Sequence, residues 1–189
     1  MAAKKSITSR TWATTAAILA VGLTSCDQNS APSTPATGSG APPLFSSTST
    51  TTVGKSEQEA LDTYRQMWAA FVTAGKTSNW QDPQLSHFAT SVALTTLTRS
   101  LFADHDAGLV TVGEPVLNPH VASVDPPNGP KKVVITDCGD SAHWLRHRAD
   151  NGQLADTPGG RRLINAVVEK QPDGAWRVSD FGVHNVGTC

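Results

Sequence analysis

The 189-residue chain has little charge, 16% of its residues, and little aromatic content, with one tyrosine among its aromatics. Fifteen Lys and Arg against sixteen Asp and Glu leave no basic excess, which disfavours an affinity built on neutralising phosphates and releasing counterions. No run of roughly 18 or more apolar residues is present, so no segment reads as a membrane-spanning helix. There is no glycine-rich phosphate loop, and Ser141 lacks the context of a nucleophile elbow, so nucleotide use and serine-esterase chemistry are not indicated. The length suits one domain of ordinary size.

What is present first is an address. Lys4, Lys5 and Arg10 precede a short apolar run from Ala13 to Leu23, the pattern of an export signal. The run ends Leu23-Thr24-Ser25-Cys26, which resembles the lipobox of bacterial lipoproteins. Residues 1–25 are expected to be removed and Cys26 to be diacylated; the alternative is a plain secretory peptide cut near Ser25. Two or more acyl chains, at about 0.8 kcal/mol per buried methylene, anchor stably where one would be marginal. The expected location is the outer face of the cytoplasmic membrane. Loss of three cations leaves twelve against sixteen acids, a charge of about −4. Residues 26–54 are rich in Ser, Thr, Pro, Ala and Gly and read as a disordered linker. Its Ser46 to Thr52 hydroxyl run suits O-linked sugars or an unmodified spacer equally.

The folded domain is expected over residues 55–189. Ser56 followed by Glu59 predicts a capping box, and Leu61, Tyr64, Trp68, Phe71 and Val72 recur at helical spacing until Gly75. Asp82-Pro83 predicts a short helix through Phe88. Leu94, Leu97, Leu101 and Phe102 predict a third, fading at Gly108. Runs rich in β-branched residues then predict strands: Leu109 to Val112, extending toward Val124; Lys131 to Cys138; a stretch around Trp144; Arg162 to Lys170; and Trp176 to Val183. Helices first and an antiparallel meander after them give an α+β class, the helices packed on a curved antiparallel sheet. With Cys26 lipidated, Cys138 and Cys189 form an even pair in an oxidising compartment and are expected to be joined.

The order of motifs resembles a family of actinobacterial secreted lipoproteins with a domain of the nuclear transport factor 2-like, or SnoaL-like, superfamily. The resemblance rests on the lipobox, the linker, the helix around Tyr64 to Phe71, the segment Val133 to Ser141, and Ala175 to Asp180 before a terminal cysteine. It implies a cone-shaped α+β fold around a pocket. It brings no activity, since the superfamily holds isomerases, hydrolases, cyclases and non-catalytic members. Ketosteroid isomerases of this fold use a buried tyrosine on the first helix with carboxylates reaching into the cone, which directs attention to Tyr64.

Tyr64, Trp68, Asp137 and Asp180 are the candidate pocket residues; the bland reading of Tyr64 is a core residue with its hydroxyl bonded locally. No catalytic residue is assigned. His143 and His147, with Asp140, have a metal-ligand spacing, but Arg146 and Arg148 oppose a divalent cation there. Asp104-His105-Asp106 reads as the polar end of the third helix. Trp80 and Trp144 lie near loops where they would rim a pocket or a partner surface, core packing being the simpler role. No metal or other cofactor is expected, and no nucleic acid. Two functions remain: a non-catalytic, membrane-tethered domain that binds a protein or cell-envelope partner, or a cone pocket that binds or transforms a small apolar molecule. A homodimer is compatible with either.

Overall fold

A computed structural model describes residues 48–189, with side chains from Gly54 onward. The export signal, Cys26 and residues 27–47 lie outside the described residues. The elements run α1 (Thr48–Gly75), α2 (Pro83–Phe88), α3 (Ser91–Asp106), β1 (Leu109–Val112), β2 (His120–Asp125), β3 (Lys132–Asp140), β4 (Leu145–Arg148), β5 (Arg161–Lys170) and β6 (Trp176–Val183). This is the α+β order that the sequence predicts.

In α1, Ala60, Tyr64, Met67, Trp68, Phe71 and Ala74 are buried, a stripe at i, i+3, i+4 and i+7 spacing that covers one face. The helix begins eight residues before Ser56, so Ser56 and Glu59 sit inside it, and the expected capping box does not form. Glu59 instead accepts a hydrogen bond from the indole N–H of Trp176 at 3.0 Å, tying α1 to β6. Gly75 is the last residue of the helix, and a β-carbon there would run into the Thr111 hydroxyl. The α2 start is as expected, with Asp82 accepting from the Gln84 backbone N–H at 2.9 Å and Pro83 in the first turn. On α3, Ala93, Leu97, Leu101 and Asp104 are buried.

The strands divide into two antiparallel sheets, one of order β2-β3-β5-β6 and one pairing β1 with β4. The single meander, with its first strand extending from Leu109 toward Val124, is therefore corrected. Proline at 115 and 119 supplies no backbone N–H for a ladder, and Gly113, at φ +84°, lies against the His143 carbonyl where a side chain would collide. The chain breaks there into β1 and β2, and β4 leaves the main sheet to pair with β1. Bulges at Val121/Ser123 and Val167/Val168 bend the main sheet. Its inner face presents Val133, Ile135 and Asp137 from β3, Ile164, Ala166 and Val168 from β5, and Trp176 and Val178 from β6, all buried. These close on Tyr64, Met67, Leu97 and Leu101 from the helices. Each such large apolar side chain contributes roughly 1.5–3 kcal/mol on burial.

Cys138 and Cys189 are joined, with α-carbons 5.9 Å apart. The tail runs along β5, the backbone N–H groups of His184 and Gly187 donating to the carbonyls of Leu163 and Arg161 at 2.9 and 2.8 Å. Among the described residues no helix is long and apolar enough to cross a membrane.

Candidate functional site

Two polar arrangements lie inside the domain, and they are separate. The first is a sealed pair. The Tyr64 hydroxyl donates to Asp137 Oδ2 at 2.9 Å, and Asp137 Oδ1 accepts the Asn118 backbone N–H at 2.7 Å. Both side chains are fully buried. Each carboxylate oxygen thus has a donor, and the phenol has its acceptor. Burial first, then the charge of Asp137 and the hydrogen bond to it, push the Tyr64 hydroxyl well above the usual tyrosine range; the nearby Trp68 indole opposes this slightly. The pair holds α1 to β3 and stays neutral at the phenol.

The second is a cavity of about 450 Å³ beside the pair. Trp68 and Phe71 of α1, Leu97 and Leu101 of α3, Ile164 of β5, and Trp144 and Phe181 make its apolar wall. The rings meet edge to face: Trp68 lies 6.0 Å from Trp144 and 5.9 Å from Phe181, and Phe71 lies 5.5 Å from Trp144, arrangements that aromatic quadrupoles favour. Gly139 also lines the cavity, and a β-carbon there would come within 2.8 Å of the Ile164 side chain.

Polar groups enter this wall at a few points. Asp104 is buried on α3 and accepts from Arg146 Nε at 2.6 Å. The Arg146 guanidinium also lies 3.7 Å from Asp156, so two aspartates share one arginine and the cluster keeps a formal charge of −1. Four buried side-chain atoms of the described residues have no hydrogen-bond partner: Trp68 Nε1, Thr111 Oγ1, Trp144 Nε1 and Arg162 Nε. All four residues line this cavity. Trp68 Nε1 is close to Tyr64 without reaching hydrogen-bond geometry. Natural interiors seldom leave donors unmade.

The structure thus brings Tyr64 and Asp137 together, but with each other, beside rather than on the cavity wall. Trp68 lines the cavity. Asp180 is exposed and does not. Trp144 also lines it, while Trp80 packs edge to face on Phe102, 5.5 Å between ring centres. His143 is exposed, and His147 Nδ1 lies 2.9 Å from the Gly152 carbonyl. Among the described residues no group of three or more His, Cys, Asp or Glu is placed to hold a metal. Asp104, which the sequence places with His105 and Asp106 at the polar end of the third helix, lines the cavity, and so does Arg162, which the sequence reading does not single out. Asp104 follows Leu97 and Leu101 on the buried stripe of α3, and Arg162 shares the inner face of β5 with Ile164, Ala166 and Val168.

No family model matches the chain, and no curated protein matches it significantly. Among solved structures it is similar to the intermembrane space region of the chloroplast protein ARC6, at 14% identity over 68% of this chain and 96% of that one, TM-score 0.48. It is also similar to a ketosteroid isomerase-like protein from Erwinia carotovora, at 8% identity over 67% and 93%, TM-score 0.41. A nuclear transport factor 2-like superfamily protein from Salmonella enterica is a third, at 12% identity over 74% and 95%, TM-score 0.39. Likenesses of this order carry no activity across, and the α+β class stands on the chain's own elements.

Proposed function

We propose that this protein is a binding domain whose cavity holds a small molecule with an apolar body and oxygen acceptors, and that acylated Cys26 tethers it to the outer face of the cytoplasmic membrane. The observation that carries the first part is that every buried, unpartnered polar side-chain atom of the described residues belongs to a residue lining one aromatic-walled cavity. A cavity of this size with few convergent polar groups is the usual form of a small-molecule site. The tether is supported by the Leu23-Thr24-Ser25-Cys26 sequence and the cationic, then apolar, segment before it.

Binding is favoured over isomerase-like chemistry by the state of the Tyr64–Asp137 pair. An acid or base must reach the proton it moves, and here both oxygens of Asp137 and the phenol are bonded to protein groups. Binding of a cell-envelope or protein partner is the broader alternative. It calls for a contiguous exposed apolar surface, and of the exposed Val92, Phe102, Val112, Val116, Leu154, Val183 and Val186 the last two line the cavity itself.

A native mass spectrum of the mature protein isolated from its own host membranes tests both parts. The expected spectrum shows covalent acyl mass that survives denaturation, together with a smaller mass that denaturation releases. A Cys26→Ala form is expected in the soluble fraction. Retention of that form in the membrane contradicts the tether, and an empty cavity in protein never exposed to detergent contradicts the ligand.

A further inference from the structure

We infer that Arg162 is an anion anchor, and that the cavity's ligand carries a carboxylate or similar anionic head on its apolar body. This rests on the cavity being a ligand site, as proposed above, and names the chemistry that site selects. Arg162 is the second residue of β5, and its register partner on β3 is Gly139. Opposite the guanidinium stem the sheet therefore has no side chain, and both residues line the cavity.

The cations near it are otherwise occupied. Arg146 is held by Asp104 and Asp156. Arg161, its neighbour, directs Nε and Nη2 to Cys138 Sγ at 3.3 and 3.2 Å. The Arg162 side chain has no hydrogen bond or ion pair among the described residues, and its Nε is buried. The acidic groups lining the cavity are Asp104 and Asp156. Asp104 accepts from Arg146; Asp156 accepts the backbone N–H of Thr157 through Oδ1 at 2.9 Å and faces Arg146 through Oδ2. The formal charge of the wall is zero, but its surplus negative charge sits on the Asp104–Arg146–Asp156 cluster, and no carboxylate of the described residues pairs with Arg162.

The Arg162 side chain is half-buried, with its Nε shut off from solvent and unpartnered, and its planar fork suits a carboxylate's two oxygens. The unpartnered donors of Thr111 and Trp144 belong to the same wall. They add groups able to donate to an anionic head. The aromatic and aliphatic remainder of the wall takes the apolar body.

The test is calorimetric titration of the full-length chain with 1-naphthylacetate and its neutral isostere 1-naphthylacetamide. The expected result is at least a tenfold preference for the anion in the wild type. In Arg162→Met the preference is expected to fall to near unity while amide binding stays within about threefold, and Arg162→Lys is expected to recover part of it. Melting temperatures of both variants show whether they fold. Equal binding of anion and amide to the wild type, or an anion preference that survives Arg162→Met, overturns the anchor and leaves the cavity standing. If neither probe binds and the native spectrum shows no released mass, the cavity itself is not a ligand site, and the anchor falls with it.

Discussion

An Asp137→Ala protein is expected to unfold with about 3 kcal/mol less stability than the wild type, a melting temperature lower by roughly 10 °C. The substitution removes a buried acceptor that serves two donors, Tyr64 Oη and the Asn118 backbone N–H, and leaves the phenol unpaired at the centre of the domain. Leaving a buried donor unmade costs about 1–3 kcal/mol, more than the net worth of the bond when both partners are present. Tyr64→Phe, which takes the donor and spares the shape, is expected to cost about half as much. Chemical denaturation of the three proteins checks this, and a loss under about 1 kcal/mol for Asp137→Ala contradicts the sealed pair. The same pair predicts an alkaline effect of definite sign. Because Tyr64 holds its proton more tightly folded than unfolded, its contribution is fully present below the unfolded value near 10. Above that pH, stability declines by up to about 1.4 kcal/mol per unit. Tyr64 is the only tyrosine, so tyrosinate absorbance reports it alone. It is expected to appear only as the protein unfolds, and Tyr64→Phe is expected to lack this part of the slope.

The second large effect is expected on removing the Cys138–Cys189 bridge. The two cysteines are 51 residues apart, and a closed loop of that length stabilises by about 4 kcal/mol in the chain-entropy account. A Cys138→Ser/Cys189→Ser protein is expected to lose an amount in the range of about 2–5 kcal/mol. The loss has a local consequence as well. The tail that the bridge holds is otherwise attached by a few hydrogen bonds, from His184, from Gly187 and from the Leu163 N–H to the Thr188 hydroxyl, and it delivers Val186 to the cavity wall. Hydrogen exchange at Leu163, His184 and Gly187 is expected to quicken in the variant well before the core of α1 does. Unchanged exchange there, with unchanged stability, contradicts a structural role for the bridge.

Much of this arrangement is legible in the residues. The stripe from Tyr64 to Phe71, the Asp82-Pro83 start and the β-branched runs from 132 to 183 each obey a local rule that packing did not override. The pairing of Cys138 with Cys189 follows from counting thiols. What escapes is long-range. Whether a strand at 145–148 joins the main sheet or finds β1 depends on the close approach of Gly113 to His143, which no local pattern encodes. Tyr64 and Asp137 are correctly singled out as buried polar groups, but their partner is each other, a relation across 73 positions. Asp180 illustrates a finer failure: alternation from Trp176 and Val178 points it inward, and the bulge at Val167/Val168 shifts the register so that Phe181 faces in instead. Asp104 and Arg162 are legible in retrospect as charges on otherwise apolar faces. Taken one residue at a time, they read as the ordinary polar ends of a helix and a strand.

The most direct test of the central claim is whether filling the cavity expels its occupant. Ser100 lines it from α3 and is partly exposed, so Ser100→Trp places an indole in the space without disturbing Tyr64, Asp137 or the disulfide. Native mass spectra of wild type and Ser100→Trp, isolated side by side from the same host, are expected to show a released small-molecule mass in the first and none in the second, with melting temperatures within a few degrees. An identical released mass in both proteins, or none in either, contradicts the account.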